Sequence, residues 1–253
     1  MDVNGIGAIV TGGASGLGGA TAARLAALGA RVSVFDLNAE AGSEHAAAIG
    51  GRFARVDVTD DEGVTLAVAD AEAAHGPTRI LVNCAGIAIG RKVVGKDGHP
   101  HALDQFRRVL EINLIGSFNL ISKVAARLVA ADLNGEERGV FINTASVAAF
   151  EGQIGQAAYA ASKGGVHAMT LPIARELAAS AIRVCTIAPG IFWTPMLAGL
   201  PEEAQASLGQ QVPFPSRLGK PEEYADFVAA IIANPMLNGE TIRLDGAIRM
   251  APR

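Results

Sequence analysis

Only two cysteines occur in the 253 residues, Cys84 and Cys185. Two are too few for a disulfide framework, and both fall in or beside stretches that read as strands, so buried reduced thiols are expected. Aromatic residues make up 5% of the chain and charged ones 18%, while half of it is hydrophobic. That much apolar content excludes a disordered chain. Few rings beside abundant Ala, Val, Ile and Gly suit helices packed tightly on a buried parallel sheet. No run of about 18 apolar residues appears, which argues against a membrane span. The formal net charge of −4 offers no attraction to nucleic acid. The five histidines lack ligand spacing, and His99-Pro100-His101 reads as a surface loop rather than a metal site. Met1-Asp2-Val3-Asn4 shows neither a basic n-region nor an Arg-rich amphipathic start, so no targeting segment is expected.

What is present is alternation. Apolar runs of strand length fall near Gly7–Thr11, Arg31–Asp36, Phe53–Asp57, Ile80–Cys84, Gly139–Thr144, Arg183–Ala188 and Thr241–Leu244. Helical stretches fill Gly18–Leu28, Glu40–Ile49, Asp60–His75, Leu103–Ala130, Ala157–Ala179 and Pro221–Ala233, and Pro172 should bend the fifth. Interleaved strands and helices predict an α/β chain: one Rossmann-like, doubly wound domain over residues 1–253, with a seven-stranded parallel sheet covered on both faces. Ligands of such sheets sit at the carboxyl ends of the strands.

Directly after the first strand comes TGGASGLG, with Gly12, Gly16 and Gly18 around Ser15 and Leu17. Such a turn lets the backbone approach a pyrophosphate, whose charge is favoured at a helix N-terminus. Asp36 ends the second strand, where an acid receives ribose hydroxyls and repels a 2′-phosphate. No basic side chain stands in the turn, and Leu37 follows Asp36, so NAD is expected over NADP. Asp57-Val58 closes the third strand, where Asp57 either accepts from an adenine amino group or caps the next helix. After the fourth strand, Asn83 with Ala85 and Gly86 offers an amide and small residues beside a cofactor; Asn83 could equally stitch neighbouring strands.

Ser146, Tyr159 and Lys163 carry the chemistry. Tyr159 and Lys163 are four residues apart in an Ala-rich helical stretch, so they share one face. A lysine about 4 Å away, at an effective dielectric of about 20, would favour the phenolate by roughly 4 kcal/mol, about three pKa units. That makes Tyr159 a proton donor or acceptor, with Ser146 placed to hold the reacting oxygen. The same spacing also occurs in helices where Tyr packs and Lys snorkels.

Together these motifs resemble the short-chain dehydrogenase/reductase family over nearly the whole chain. Its pattern appears in order as Gly12–Gly18, Asn83–Gly86, Asn113, Ser146 and Tyr159–Lys163, with Cys84 as a departure. The resemblance implies that Tyr159 is the general acid/base, that Lys163 lowers its pKa and holds the nicotinamide ribose, and that Ser146 positions the substrate oxygen. It further implies that Asn113 holds a water linking Lys163 to solvent, and that Pro189, Gly190 and Thr194 meet the nicotinamide carboxamide. Within the family, NTASVAAFEGQIGQAAYAASKGG, APGIFWTPML and the inserted segment Ile87–Leu103 are similar to members that interconvert 3-hydroxyacyl-CoA and 3-oxoacyl-CoA with NAD, with tolerance for hydroxysteroids and other secondary alcohols. A homotetramer is implied as well. Without a presequence, a bacterial-like cytoplasmic location is expected.

Substrate choice is expected in three places: Ile87–Leu103, Gln153, and the loop Phe192–Pro215 with Trp193, Met196, Leu197, Leu200 and Phe214. The loop's apolar side chains either cover a substrate or fill an oligomer interface. Arg91, Lys92 and Lys96 either meet coenzyme A phosphates or form a solvated loop.

Overall fold

The structure is a computed structural model and describes residues 1–194, 197 and 202–252. Its strands are β1 (Gly7–Thr11), β2 (Arg31–Asp36), β3 (Arg52–Arg55), β4 (Thr78–Asn83), β5 (Gly139–Thr144), β6 (Ile182–Pro189) and β7 (Thr241–Leu244). They form one sheet in the order β3-β2-β1-β4-β5-β6-β7, parallel at every pairing. Successive strand residues point to opposite faces. Ile9, Phe35, Leu81 and Phe141 therefore enter one apolar cluster, while Val10, Val34, Val82 and Ile142 enter the other. Burial on both faces explains the near-continuous apolar strands.

Helices α1 (Gly16–Ala27) and α8 (Pro221–Ala233) cover one face of the sheet, and α3 (Asp61–His75) and α5 (Gly116–Leu128) the other. Between them in sequence lie α2 (Ala39–Ala48), α4 (Leu103–Leu110), α6 (Ala157–Ala178) and α7 (Glu202–Gln210). The order of strands reverses between β1 and β4, which opens a crevice at their carboxyl ends.

The element boundaries differ from the sequence reading in informative ways. β3 stops at Arg55, so Asp57 lies beyond the strand rather than within it. The stretch expected as one helix over Leu103–Ala130 contains a π-helical turn, Glu111–Ile115, between α4 and α5. An 18-residue window in Leu103–Leu128 reaches a mean hydropathy of 1.3, apolar and long enough to span a membrane, yet half of it is buried in the fold. Its buried Asn113, Ser117 and Asn119 bond to other parts of the chain, as befits a core helix. α6 runs through Pro172 without ending, held by packing of Val166, Thr170 and Ala174. The segment expected as the loop Phe192–Pro215 contains α7.

One buried ion pair ties the far side of the sheet together. Arg183 on β6 donates to Glu137 at 2.6 Å and to the main-chain oxygens of Ile231 and Ile232 at 3.0 Å. The Met1 ammonium lies 3.2 Å from the same Glu137 carboxylate.

Candidate active site

A cleft of about 820 Å³ opens along the carboxyl ends of β1 to β6. Its first wall is the turn from β1 into α1, lined by Gly12, Ser15, Gly16, Leu17 and Gly18. Gly12 has φ of +62°, and a Cβ there would stand 2.8 Å from the Ala85 nitrogen. A Cβ on Gly18 would collide with the Gly12 carbonyl. Both positions therefore require glycine, and the turn leaves the N-terminus of α1 facing the cleft.

Asp36 closes β2 at the cleft edge. Its carboxylate accepts from the Ala14 N–H at 3.1 Å and the Asn38 N–H at 3.0 Å. One bond per oxygen fixes its orientation and leaves acceptor capacity toward the cleft. Asp57 also lines the cleft, but accepts from the Thr59 N–H at 2.9 Å and the Thr59 hydroxyl at 2.7 Å. Those bonds hold its pKa below the ordinary carboxylate value, chiefly through the Thr59 side chain. Val58 is buried, and its carbonyl accepts from the Asn119 amide at 3.0 Å.

Of the two readings of Asn83, the structure shows the stitch between strands, and the side chain does not line the cleft. Its amide donates to Asn143 Oδ1 at 3.0 Å and to the Ser117 carbonyl at 3.4 Å, stitching β4 to β5 away from the cleft. Cys84, Ala85 and Gly86 form the cleft wall instead. The side chain of Asn113 is likewise committed: it accepts from the Ile87 N–H at 2.8 Å and donates to the Ile87 carbonyl at 2.9 Å and to Ser162 Oγ at 3.0 Å. Its amide thus shapes the Gly86–Ile87 loop, with both N–H groups engaged and one acceptor position on Oδ1 left over for the expected water. A Cβ on Gly86 would lie 3.0 Å from Asn113 Oδ1 and 3.6 Å from Lys163 Nζ, so Asn113 and Lys163 meet through this glycine.

Ser146, Tyr159 and Lys163 converge on the cleft. Ser146 caps a short 3₁₀ turn, accepting from the Ala148 N–H at 3.1 Å. Its hydroxyl lies near enough to the Tyr159 phenol to lower that group's pKa. Lys163 is buried; its Nζ lies 5.9 Å from the centre of the Tyr159 ring and donates to the Thr144 carbonyl at 2.6 Å. Burial pushes the Tyr159 phenol above its usual value, and the nearby Ser146 hydroxyl pulls against it. Burial also brings Lys163 down to about 8. The cause is common to both: little water reaches either charged form.

Pro189, Gly190 and Thr194 line the opposite wall, followed by Leu197 and Leu208 of α7. In the expected substrate loop, Trp193 is half-exposed and Phe214 is 82% exposed, and neither lines the cleft; Met196 and Leu200 lie outside the described residues. Ile87–Gly90 reach the cleft, but Arg91, Lys92 and Lys96 do not. Gln153 does line it, and its amide donates to the Ala251 carbonyl at 3.0 Å. The sequence reading missed Thr144, Gln156, Leu208 and Met250. Thr144 was findable as the last residue of a strand at the ligand-bearing end; Met250, near the end of the sequence, carried no local signal.

The cleft fits an extended dinucleotide. The glycine cradle would take a pyrophosphate, Asp36 a ribose, and the Lys163 corner a second ribose. The family model for short chain dehydrogenase matches residues 7–205. Human 3-hydroxyacyl-CoA dehydrogenase type-2 is 56% identical over 99% of this chain and 97% of its own. The Drosophila melanogaster enzyme of the same name is 52% identical over 96% and 97%. A crystal structure of 3-hydroxyacyl-CoA dehydrogenase type-2 from Mycobacterium avium superposes with a TM-score of 0.95 at 42% identity, covering 98% of each chain. On fold, cleft and sequence alike, the chain belongs to the short-chain dehydrogenase family.

Proposed function

We propose that this protein interconverts 3-hydroxyacyl-CoA and 3-oxoacyl-CoA with NAD(H). The observation that carries the proposal is the convergence of Ser146, the half-buried Tyr159 and the buried Lys163 on a cleft walled by the glycine turn and Asp36. The substrate class follows the names of relatives more than half identical over nearly their full length.

When bound, the oxidised nicotinamide supplies the hydride acceptor. Tyr159 moves the proton: its oxygen takes the alcohol proton in oxidation and returns it in reduction. Because burial raises its pKa, Tyr159 rests as the neutral phenol, the form needed to protonate a carbonyl oxygen. Ser146 orients that oxygen against the phenol. Lys163, with a pKa of about 8, keeps its charge at neutral pH and favours the phenolate as it forms. Asp36 would accept from the adenosine ribose hydroxyls and repel a 2′-phosphate, which supports NAD. Cytoplasmic location and tetrameric assembly complete the proposal; the exposed Ile115, Phe118 and Phe150 are consistent with assembly between copies.

Initial rates with acetoacetyl-CoA and NADH, against NADPH and a steroid ketone, test the reading. Fast oxidation of NADH with acetoacetyl-CoA is the expected result. Activity on cyclic or steroid alcohols alone would favour a secondary-alcohol dehydrogenase. That second reading has its own support: a cis-4-hydroxycyclohexanecarboxylate dehydrogenase of Sinomonas cyclohexanicum is 37% identical over 94% of this chain.

A further inference from the structure

The last described residues close one end of the cleft. The Met250 side chain lines it together with Gln153, Gln156 and Leu208. Three bonds fix this tail to the segment leading into α6. The Met250 N–H donates to Glu151 Oε2 at 3.0 Å, the Gln153 amide donates to the Ala251 carbonyl at 3.0 Å, and the Ile154 N–H donates to the Pro252 carbonyl at 3.0 Å.

Glu151 is the hub of this contact. Its carboxylate pairs with Arg243 on β7 and lies 3.7 Å from Arg249. Asp245 completes the cluster, 2.6 Å from Arg243 and 3.3 Å from Arg249, while the Arg243 guanidinium lies 5.3 Å from the centre of the Phe150 ring. The Glu151, Arg243 and Asp245 side chains are mostly buried, where salt screens ion pairs poorly. None of these groups reaches the Tyr159 phenol, and the proton transfer does not use them.

We propose that Met250 is a specificity-determining residue that meets the acyl chain of the substrate, and that Glu151 is the positioning residue that sets it there. Met250 is apolar and flexible, suited to lie along an alkyl chain of varying length. The Gln153 amide on the same wall is turned onto the tail, which leaves Met250 and Leu208 as apolar contacts at this end. The inference rests on the acyl-CoA reading above.

The test is the ratio of kcat/KM for 3-oxooctanoyl-CoA to that for acetoacetyl-CoA, measured with NADH. Met250→Ala should lower this ratio about ten-fold, the scale of discrimination in an apolar pocket, and Met250→Leu should restore most of it. Glu151→Ala should lower it similarly, and the double variant should show little further loss because both changes remove one contact. A general folding defect would scale both substrates together and leave the ratio alone. If the wild type reduces both thioesters but every variant keeps its ratio, the role of Met250 is overturned while the substrate reading stands. A rise in the ratio would also overturn it, since Met250 would then be obstructing the chain. If the wild type reduces neither thioester, the substrate reading fails and this inference falls with it.

Discussion

Lys163 Nζ donates to the main-chain oxygen of Thr144 at 2.6 Å. The lysine is thus held by the end of β5, the strand that also leads into Ser146. The Thr144 hydroxyl in turn donates to the Asn83 carbonyl at 2.6 Å and lies 2.7 Å from the buried Tyr224 hydroxyl. Lys163 is therefore referenced to the sheet, and the phenol to the helix that carries both.

Replacing Tyr159 with Phe removes the transferable proton and keeps the ring. Turnover with acetoacetyl-CoA should fall by at least about 10²-fold. NADH titration should find dinucleotide affinity within a few-fold of wild type. Near-wild-type turnover would remove Tyr159 from the mechanism.

Burial of Lys163 has a pH signature in stability. Its pKa is about 8 when folded, against 10.5 for the free side chain. Between those values the unfolded chain binds the extra proton, so unfolding free energy from this group rises with pH. The rise should be on the order of 3 kcal/mol over that window. Urea unfolding at about pH 7.5 and about pH 10, which covers most of the window, should show most of the rise in the wild type and much less in Lys163→Met.

Asp36→Asn keeps the shape of the side chain and removes its charge. The preference for NADH over NADPH in kcat/KM should narrow by about ten-fold or more. An unaltered preference would mean that other groups set it.

Glu137→Gln leaves Arg183 and the Met1 ammonium without their carboxylate in a buried setting. Breaking such a pair from one side typically costs about 3–5 kcal/mol. Denaturant midpoints should fall accordingly, and a change of less than about 1 kcal/mol would show that solvent reaches the pair.

Much of the site was legible because short-range geometry specifies it. Tyr159 and Lys163 share a helix face by spacing alone, and the turn at Gly12–Gly18 follows directly from the strand before it. Asn83 and Asn113 were legible as polar residues but not as to partners. Asn83 turns to Asn143, 60 positions away, and Asn113 to the Ile87 backbone, 26 away. The π-helical turn at Glu111–Ile115 was hidden because its residues differ little from those of an ordinary helix.

The sequence by itself determined the α/β alternation, the glycine cradle and the order of the chemical groups, since local backbone sterics and side-chain periodicity suffice for these. Only the tertiary structure decided the titration of Tyr159 and Lys163, because desolvation depends on what packs around a group. It alone brought Met250 to the same cleft wall as Gln153, 97 positions earlier in the chain. Contacts over such separations are set when β7 docks beside β6, and no local pattern encodes them.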